Sequence, residues 1–141
     1  MSLLPEQIAR SWFDQVWNQG SEQAIDRLMA PDATFHGLAP PAAAPVVGPE
    51  GFKPFFRQFR DAFPDIHIDV DKCVTQGDTV AVHCTVTGTH GGDGLGAKAT
   101  HRPVRITGMG MARIENGRIA EAWNTFDFMS LYQQLGLKPP V

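Results

Sequence analysis

The chain has 141 residues, a formal net charge of −3, 43% hydrophobic and 19% charged residues. That length builds one domain, residues 1–141, with its own core, and the mild acidity gives bulk charge no hold on nucleic acid or an anionic membrane. Nine Phe and three Trp stand against one Tyr, so the interior is aromatic and short of phenol donors. No segment approaches the roughly 18 consecutive apolar residues of a membrane span. Met1 to Arg10 carries Glu6 early and lacks a basic, then apolar, leader. Two cysteines, Cys73 and Cys84, fit free thiols in a reducing cytoplasm.

The first predicted helix runs from Pro5 to Asn18, with Ile8, Trp12, Phe13, Val16 and Trp17 on one stripe. Ser21 caps a short second helix that ends at Pro31-Asp32, and Ala33 to His36 reads as a short strand. Leu38 to Val47 is too proline-rich for helix or ladder. Its small apolar residues suit a lid over a cavity better than a solvated linker. A third helix starts near Pro49 and carries Phe52, Phe55, Phe56, Phe59 and Phe63, with Pro54 in its first turn or kinking it.

From Ile66 the hydrophobic period changes to two. Ile66–Gln76 and Thr79–Thr89 pair through Gly77-Asp78, and Val104–Ile114 and Arg118–Phe126 pair through Asn116-Gly117. A last helix spans Phe128 to Leu135 before Gly136. Helices followed by a meander of long strands define an α+β fold, a curved antiparallel sheet wrapped over helices. In the first hairpin an uninterrupted ladder would set Val70 opposite Thr85. A one-residue bulge near Lys72-Cys73 repairs the clash of faces, placing Val70 opposite Val86. In the second, a two-residue turn sets Gly108 and Gly110 against Trp123, whereas a three-residue loop with a bulge sets Met109 there; the second register is preferred.

An ordered set of motifs runs along the chain: Trp17-Asn18-Gln19-Gly20, Ala33-Thr34-Phe35-His36, Gly48-Pro49-Glu50-Gly51, Ala62-Phe63-Pro64-Asp65 and Gly88-Thr89-His90-Gly91. It closes on Asn116-Gly117-Arg118-Ile119-Ala120-Glu121-Ala122-Trp123 and on Asp127 through Gln134-Leu135-Gly136. Across nearly its whole length this chain resembles the SnoaL-like polyketide cyclases, also called ester cyclases, of the NTF2-like superfamily. The resemblance implies a cone-shaped α+β (cystatin-like) fold: a strongly bent sheet and helices around one apolar pocket, commonly as a homodimer. It also implies closure of a polyketide ring by intramolecular aldol condensation, with no cofactor or metal. An aspartate near the end of the last strand serves as acid/base in that family, and Asp127 matches its position.

Trp123, Thr125 and Asp127 follow at period two and share a face. Asp127 suits proton transfer alpha to a carbonyl, because desolvation raises a carboxylate's pKa; it equally suits an N-cap for the helix at Phe128. His36 reads as a second acid/base or as a half-exposed strand-end residue. His90 has the parity of Val82, Cys84 and Val86, which the resemblance turns toward the pocket, or it fixes a turn. Cys84 reads as an apolar-like pocket residue. Met109, Met111 and Trp123 read as pocket wall. Trp12, Phe56 and the neighbouring aromatics read as pocket floor or core. No His/Cys spacing suits zinc. The glycines from Gly91 to Gly96 precede no helix and form no phosphate loop.

Two other branches of the superfamily fit less well. Epoxide-hydrolase chemistry needs an Asp-Arg-Asp set where Cys84, Val86 and Thr125 stand. An isomerase oxyanion hole needs a buried Tyr, and Tyr132 sits in the terminal helix. Two readings remain: a cofactor-independent cyclase or isomerase acting on a small hydrophobic carbonyl compound, and a non-catalytic dimer that holds such a compound.

Overall fold

A computed structural model describes residues 3–38 and 44–139. The first predicted helix forms in two parts over the expected span: α1, Pro5–Ser11, runs on into a π-helical stretch, Trp12–Asn18. The Gln7 side chain accepts a hydrogen bond from the Leu4 amide at 2.8 Å and closes its start. At its end the Gln19 amide reaches back five residues to the Asp14 carbonyl at 2.9 Å. Trp12, Phe13, Val16 and Trp17 are all buried along this stretch. Helix α2, Glu22–Leu28, is capped by Ser21, whose hydroxyl accepts from the Ala24 amide at 3.1 Å.

Strand β1, Met29–His36, starts earlier than expected, through Pro31-Asp32. Val46–Val47 forms a short β2 against Thr34 and Phe35, so the end of the predicted proline-rich loop joins the ladder. The lid expectation for Leu38 to Val47 otherwise falls on residues 39–43, which lie outside the described residues. Helix α3, Gly48–Ala62, carries the phenylalanine stripe, and Pro54 sits in its second turn rather than its first. Phe52 is 1% exposed and meets Trp12 at 5.0 Å, Phe35 at 5.5 Å and Trp17 at 6.0 Å between ring centroids.

Strands β3 (His67–Gln76), β4 (Thr79–Thr89), β5 (Pro103–Glu115) and β6 (Arg118–Phe126) form two hairpins, and α4 (Phe128–Leu135) ends the fold. The sheet order is β2-β1-β6-β5-β4-β3. The sheet is mixed rather than wholly antiparallel, because β1 runs parallel to β6.

The first hairpin has its bulge beside Lys72, as expected, but the extra residue on β3 shifts the register the other way from a pairing of Val70 with Val86. Asp71 is the extra residue, so Val70 faces Cys84 and Ile68 faces Val86. The bulge turns the Asp71 carboxylate onto β4, where it accepts from the Thr85 hydroxyl at 2.6 Å and lies 3.2 Å from His83 Nδ1. In the second hairpin the preferred three-residue loop is replaced by a two-residue turn. Asn116 and Gly117 have φ of +52° and +78°, the left-handed pair such a turn demands. The extra residue is Ala120, between the pairs Ile114–Ile119 and Arg113–Glu121. Beyond it Met111, not Met109, faces Trp123.

The helices pack on one face of the sheet. Asn18 fastens the first helix to β3: its amide accepts from the Ile68 N–H at 2.7 Å and donates to the Ile68 carbonyl at 3.0 Å. No helix among the described residues is long and apolar enough to cross a membrane.

Candidate functional site

Between the helices and the inner face of the sheet lies a cavity of about 80 Å³. Aromatic side chains dominate its wall: Trp12 and Trp17 from the first helix, Phe52 and Phe59 from α3, and Phe126 and Phe128 from the end of β6 and the start of α4. Thr87 and Asn124 are the polar residues of the wall, and no Asp, Glu, His, Lys or Arg contributes to it among the described residues.

Two glycines in β5 make room on the inner face. A Cβ on Gly108 would stand 2.3 Å from the Phe126 ring, so the glycine lets that ring lie across the strand. A Cβ on Gly110 would meet nothing nearer than 3.6 Å, leaving space beside Asn124 and Val82. A second cavity, about 30 Å³, lies over Gly110 and shares Trp12, Phe13, Phe35 and Asn124 with the first. Asn124 therefore stands at their junction. Its Nδ2 donates to the His36 carbonyl at 3.0 Å, and the chain must close in there. Gly37 has φ +73°, and a Cβ on it would fall 2.1 Å from the Asn124 carbonyl oxygen.

Trp12 stands in the cavity wall; most of the other sequence candidates do not. Phe56 is buried against Trp17, 5.3 Å between centroids, outside the wall. Cys84 is fully buried in the core, and burial pushes its thiol up to about 12, so it stays protonated and inert. Trp123, Thr125, Met109 and Met111 lie on the outer face of the sheet, away from the aromatic cavity, though Met111 also borders the small one over Gly110. The cause is the Ala120 bulge: Ile119 points inward, and the extra residue hands the inward parity to Ala122, Asn124 and Phe126. In β5 the inward positions are Val104, Ile106, Gly108, Gly110, Ala112 and Ile114, so the methionines between them face out.

Asp127 is exposed, and its carboxylate accepts from the Ser130 amide at 3.0 Å as the N-cap of α4. Its neighbours Phe126 and Phe128 both line the cavity. His36 also lies with the outer face. Its Nε2 is 2.8 Å from Glu121, and its ring stacks on Trp123 at 5.8 Å. His90 is fully buried beside Phe63 but outside the wall, where its Nδ1 accepts from the Thr100 amide at 3.1 Å and fixes the turn after β4. The structure thus keeps Asp127, His36 and His90 apart. The residue that sequence reasoning missed is Asn124. The available signal was the apolar Ala122 and Phe126 at its own parity, where Trp123 and Thr125 had drawn the assignment. No group of three or more His, Cys, Asp or Glu among the described residues could hold a metal ion.

A mixed six-stranded sheet with helices packed over an aromatic cavity defines a class of small α+β proteins, and the comparisons give the family. The family model for SnoaL-like polyketide cyclases matches residues 7–135, and the chain belongs to that family. No curated protein matches the sequence. Among solved structures, IdmH from Streptomyces antibioticus, a candidate polyketide cyclase, is similar at 32% identity and TM-score 0.81, over 94% of this chain and 99% of that one. A candidate SnoaL-like polyketide cyclase from Jannaschia sp. CCS1 shares the fold at 21% identity and TM-score 0.83, over 96% and 93% of the two chains. So does a Catenulispora acidiphila protein with a ketosteroid isomerase-like fold, at 20% identity and TM-score 0.76, over 96% of each. The chain therefore has the NTF2-like fold of that family.

Proposed function

We propose that this SnoaL-like protein holds a small hydrophobic carbonyl compound in its aromatic cavity, and that the single chain binds the compound rather than transforming it. The observation that carries this reading is the wall itself. It is aromatic and aliphatic apart from Thr87 and Asn124, while Asp127 caps a helix and His36 pairs with Glu121 on the other face of the sheet. Such a surface gains from excluding water around a flat apolar ligand and offers no group to take up a proton.

A second reading, acid/base catalysis by Asp127, is favoured by one feature: the residues on both sides of it line the cavity. In that reading the carboxylate leaves Ser130 and turns inward between Phe126 and Phe128, and aldol cyclisation or isomerisation proceeds without cofactor or metal. Asp127→Asn separates the two. Asn caps helices about as well as Asp, so the substitution removes the base and costs only a few tenths of a kcal/mol. Under the binding reading, ligand affinity and fate are unchanged. Loss of turnover of an enolisable aromatic polyketide with retained binding establishes catalysis instead.

The same proposal includes a homodimer in the cytoplasm. Val74, Met109, Met111 and Trp123 are between 40% and 68% exposed on the outer face of the sheet, a grouping that scattered surface hydrophobes do not produce. The free thiols of Cys73 and Cys84 suit a reducing compartment. Sedimentation of the protein against a Met111→Lys, Trp123→Glu double variant tests the interface: a dimer becoming a monomer supports it, and two identical profiles refute it.

A further inference from the structure

We propose that Asn124 selects the ligand, and that the compound held in the cavity carries a hydroxyl donor, a phenol or an enol, on its otherwise apolar ring. This rests on the reading that the cavity binds a small hydrophobic molecule, and it adds the polar group by which that molecule is recognised.

The orientation of the Asn124 side-chain amide is set by its partner on β1. The His36 carbonyl can only accept, so the atom 3.0 Å from it must be the Asn124 nitrogen. The amide oxygen is thereby turned away from β1. It lies over the inner face of β5, 3.6 Å from where a Cβ on Gly110 would stand. No donor among the described residues reaches it. The bond from Nδ2 to the His36 carbonyl holds the amide in that orientation.

The oxygen is thus a fixed acceptor at the junction of two cavities whose shared wall is Trp12, Phe13 and Phe35. An acceptor in apolar surroundings is poorly served unless something donates to it. A ring lying against the aromatics with a hydroxyl toward Gly110 would supply that donor. A ketone or ether oxygen in the same place would face Oδ1 lone pair to lone pair and be rejected. The ligand is therefore the hydroxyl or enol form of a carbonyl-bearing ring compound rather than a simple ketone or hydrocarbon.

The test uses phenol and toluene, which match in shape and differ in the donor. A Trp123→Phe background leaves Trp12 and Trp17, both in the cavity wall, to report binding by fluorescence quenching. The phenol-to-toluene affinity ratio of this parent is expected to fall about tenfold in Asn124→Leu and to stay unchanged in Thr87→Val. If Asn124→Leu does not fold, Gly110→Ala replaces it. Its methyl takes up the space beside the amide oxygen that the ligand hydroxyl would occupy, without altering the amide, and the ratio should fall there too. A ratio that survives the substitution, or that drops in Thr87→Val instead, overturns the role of Asn124 while leaving toluene bound. If neither probe quenches the parent, the cavity-binding reading itself fails, and the inference with it.

Discussion

Gly108 and Gly110 lie two residues apart on the same face of β5, yet the structure gives the same substitution opposite signs at the two. At Gly110 an added methyl would find its nearest neighbours, the Asn124 oxygen and Val82, at 3.6 Å, an ordinary van der Waals separation. A Gly→Ala change at an unstrained position stabilises by about 0.4–1 kcal/mol through the unfolded chain. The methyl also takes up part of the 30 Å³ void over that strand. At Gly108 the methyl would stand 2.3 and 2.4 Å from two carbons of the Phe126 ring, which must leave its place in the cavity wall. Overpacking of that kind costs about 1–3 kcal/mol. Urea unfolding of Gly110→Ala should therefore shift the midpoint up, that of Gly108→Ala down, with slopes matching the parent. For a domain of this size each kcal/mol moves Tm by roughly 3–4 °C, so the two variants should melt about 5–15 °C apart. Shifts of the same sign would refute the reading that one glycine leaves a space and the other accommodates a ring.

Phe52→Ala should lose about 3–5 kcal/mol, since the ring is 1% exposed and anchors Trp12, Trp17 and Phe35; a loss below about 1 kcal/mol in urea titration would show the cluster is not the core. Asp71 is held below the usual carboxylate range by the Thr85 hydroxyl and, less, by His83, so its contribution is present above the unfolded carboxylate pKa and lost as pH falls through the folded value. Asp71→Asn should therefore narrow the gap between urea midpoints at pH 7 and in acid, and an unchanged gap would count against the bulge contact. Iodoacetamide should leave Cys84 unmodified in the native protein and label it after denaturation, because the thiol is fully buried and its pKa is pushed up to about 12; native labelling, read by mass spectrometry, would contradict that burial.

Where the sequence states local chemistry, the fold could be read directly. Asn116-Gly117 marks a turn because few other dipeptides accept two left-handed residues, and β4 and β6 begin and end where alternation begins and ends. The same alternation hides bulges. One extra residue at Asp71 and one at Ala120 leave no trace in composition, yet each exchanges inside for outside along the rest of its strand. That exchange carried Trp123 and Thr125 to the outer face and brought Asn124 in. Large side chains drew the assignment in β5, whereas the cavity owes its space to Gly108 and Gly110, which show no pattern of their own. The two faces of Asp127, base or cap, could not be separated by residue type, since a carboxylate beside a helix start suits either.

The pairing of Asn18 with Ile68 reaches beyond the attachment of one helix. β3 is the last strand of the sheet, and its free edge is a row of unpaired amides and carbonyls, a template on which another chain could add a strand. The Asn18 amide presents one acceptor and one donor to a single residue, as a neighbouring strand would, but from a side chain with no backbone to propagate the ladder. The edge is thereby closed at the point where a foreign strand would seek its register. At the opposite margin β2 is two residues long and offers little to extend. A protein that keeps an aromatic interior hollow is exposed to self-association whenever it breathes, and these two margins deny that association a starting place.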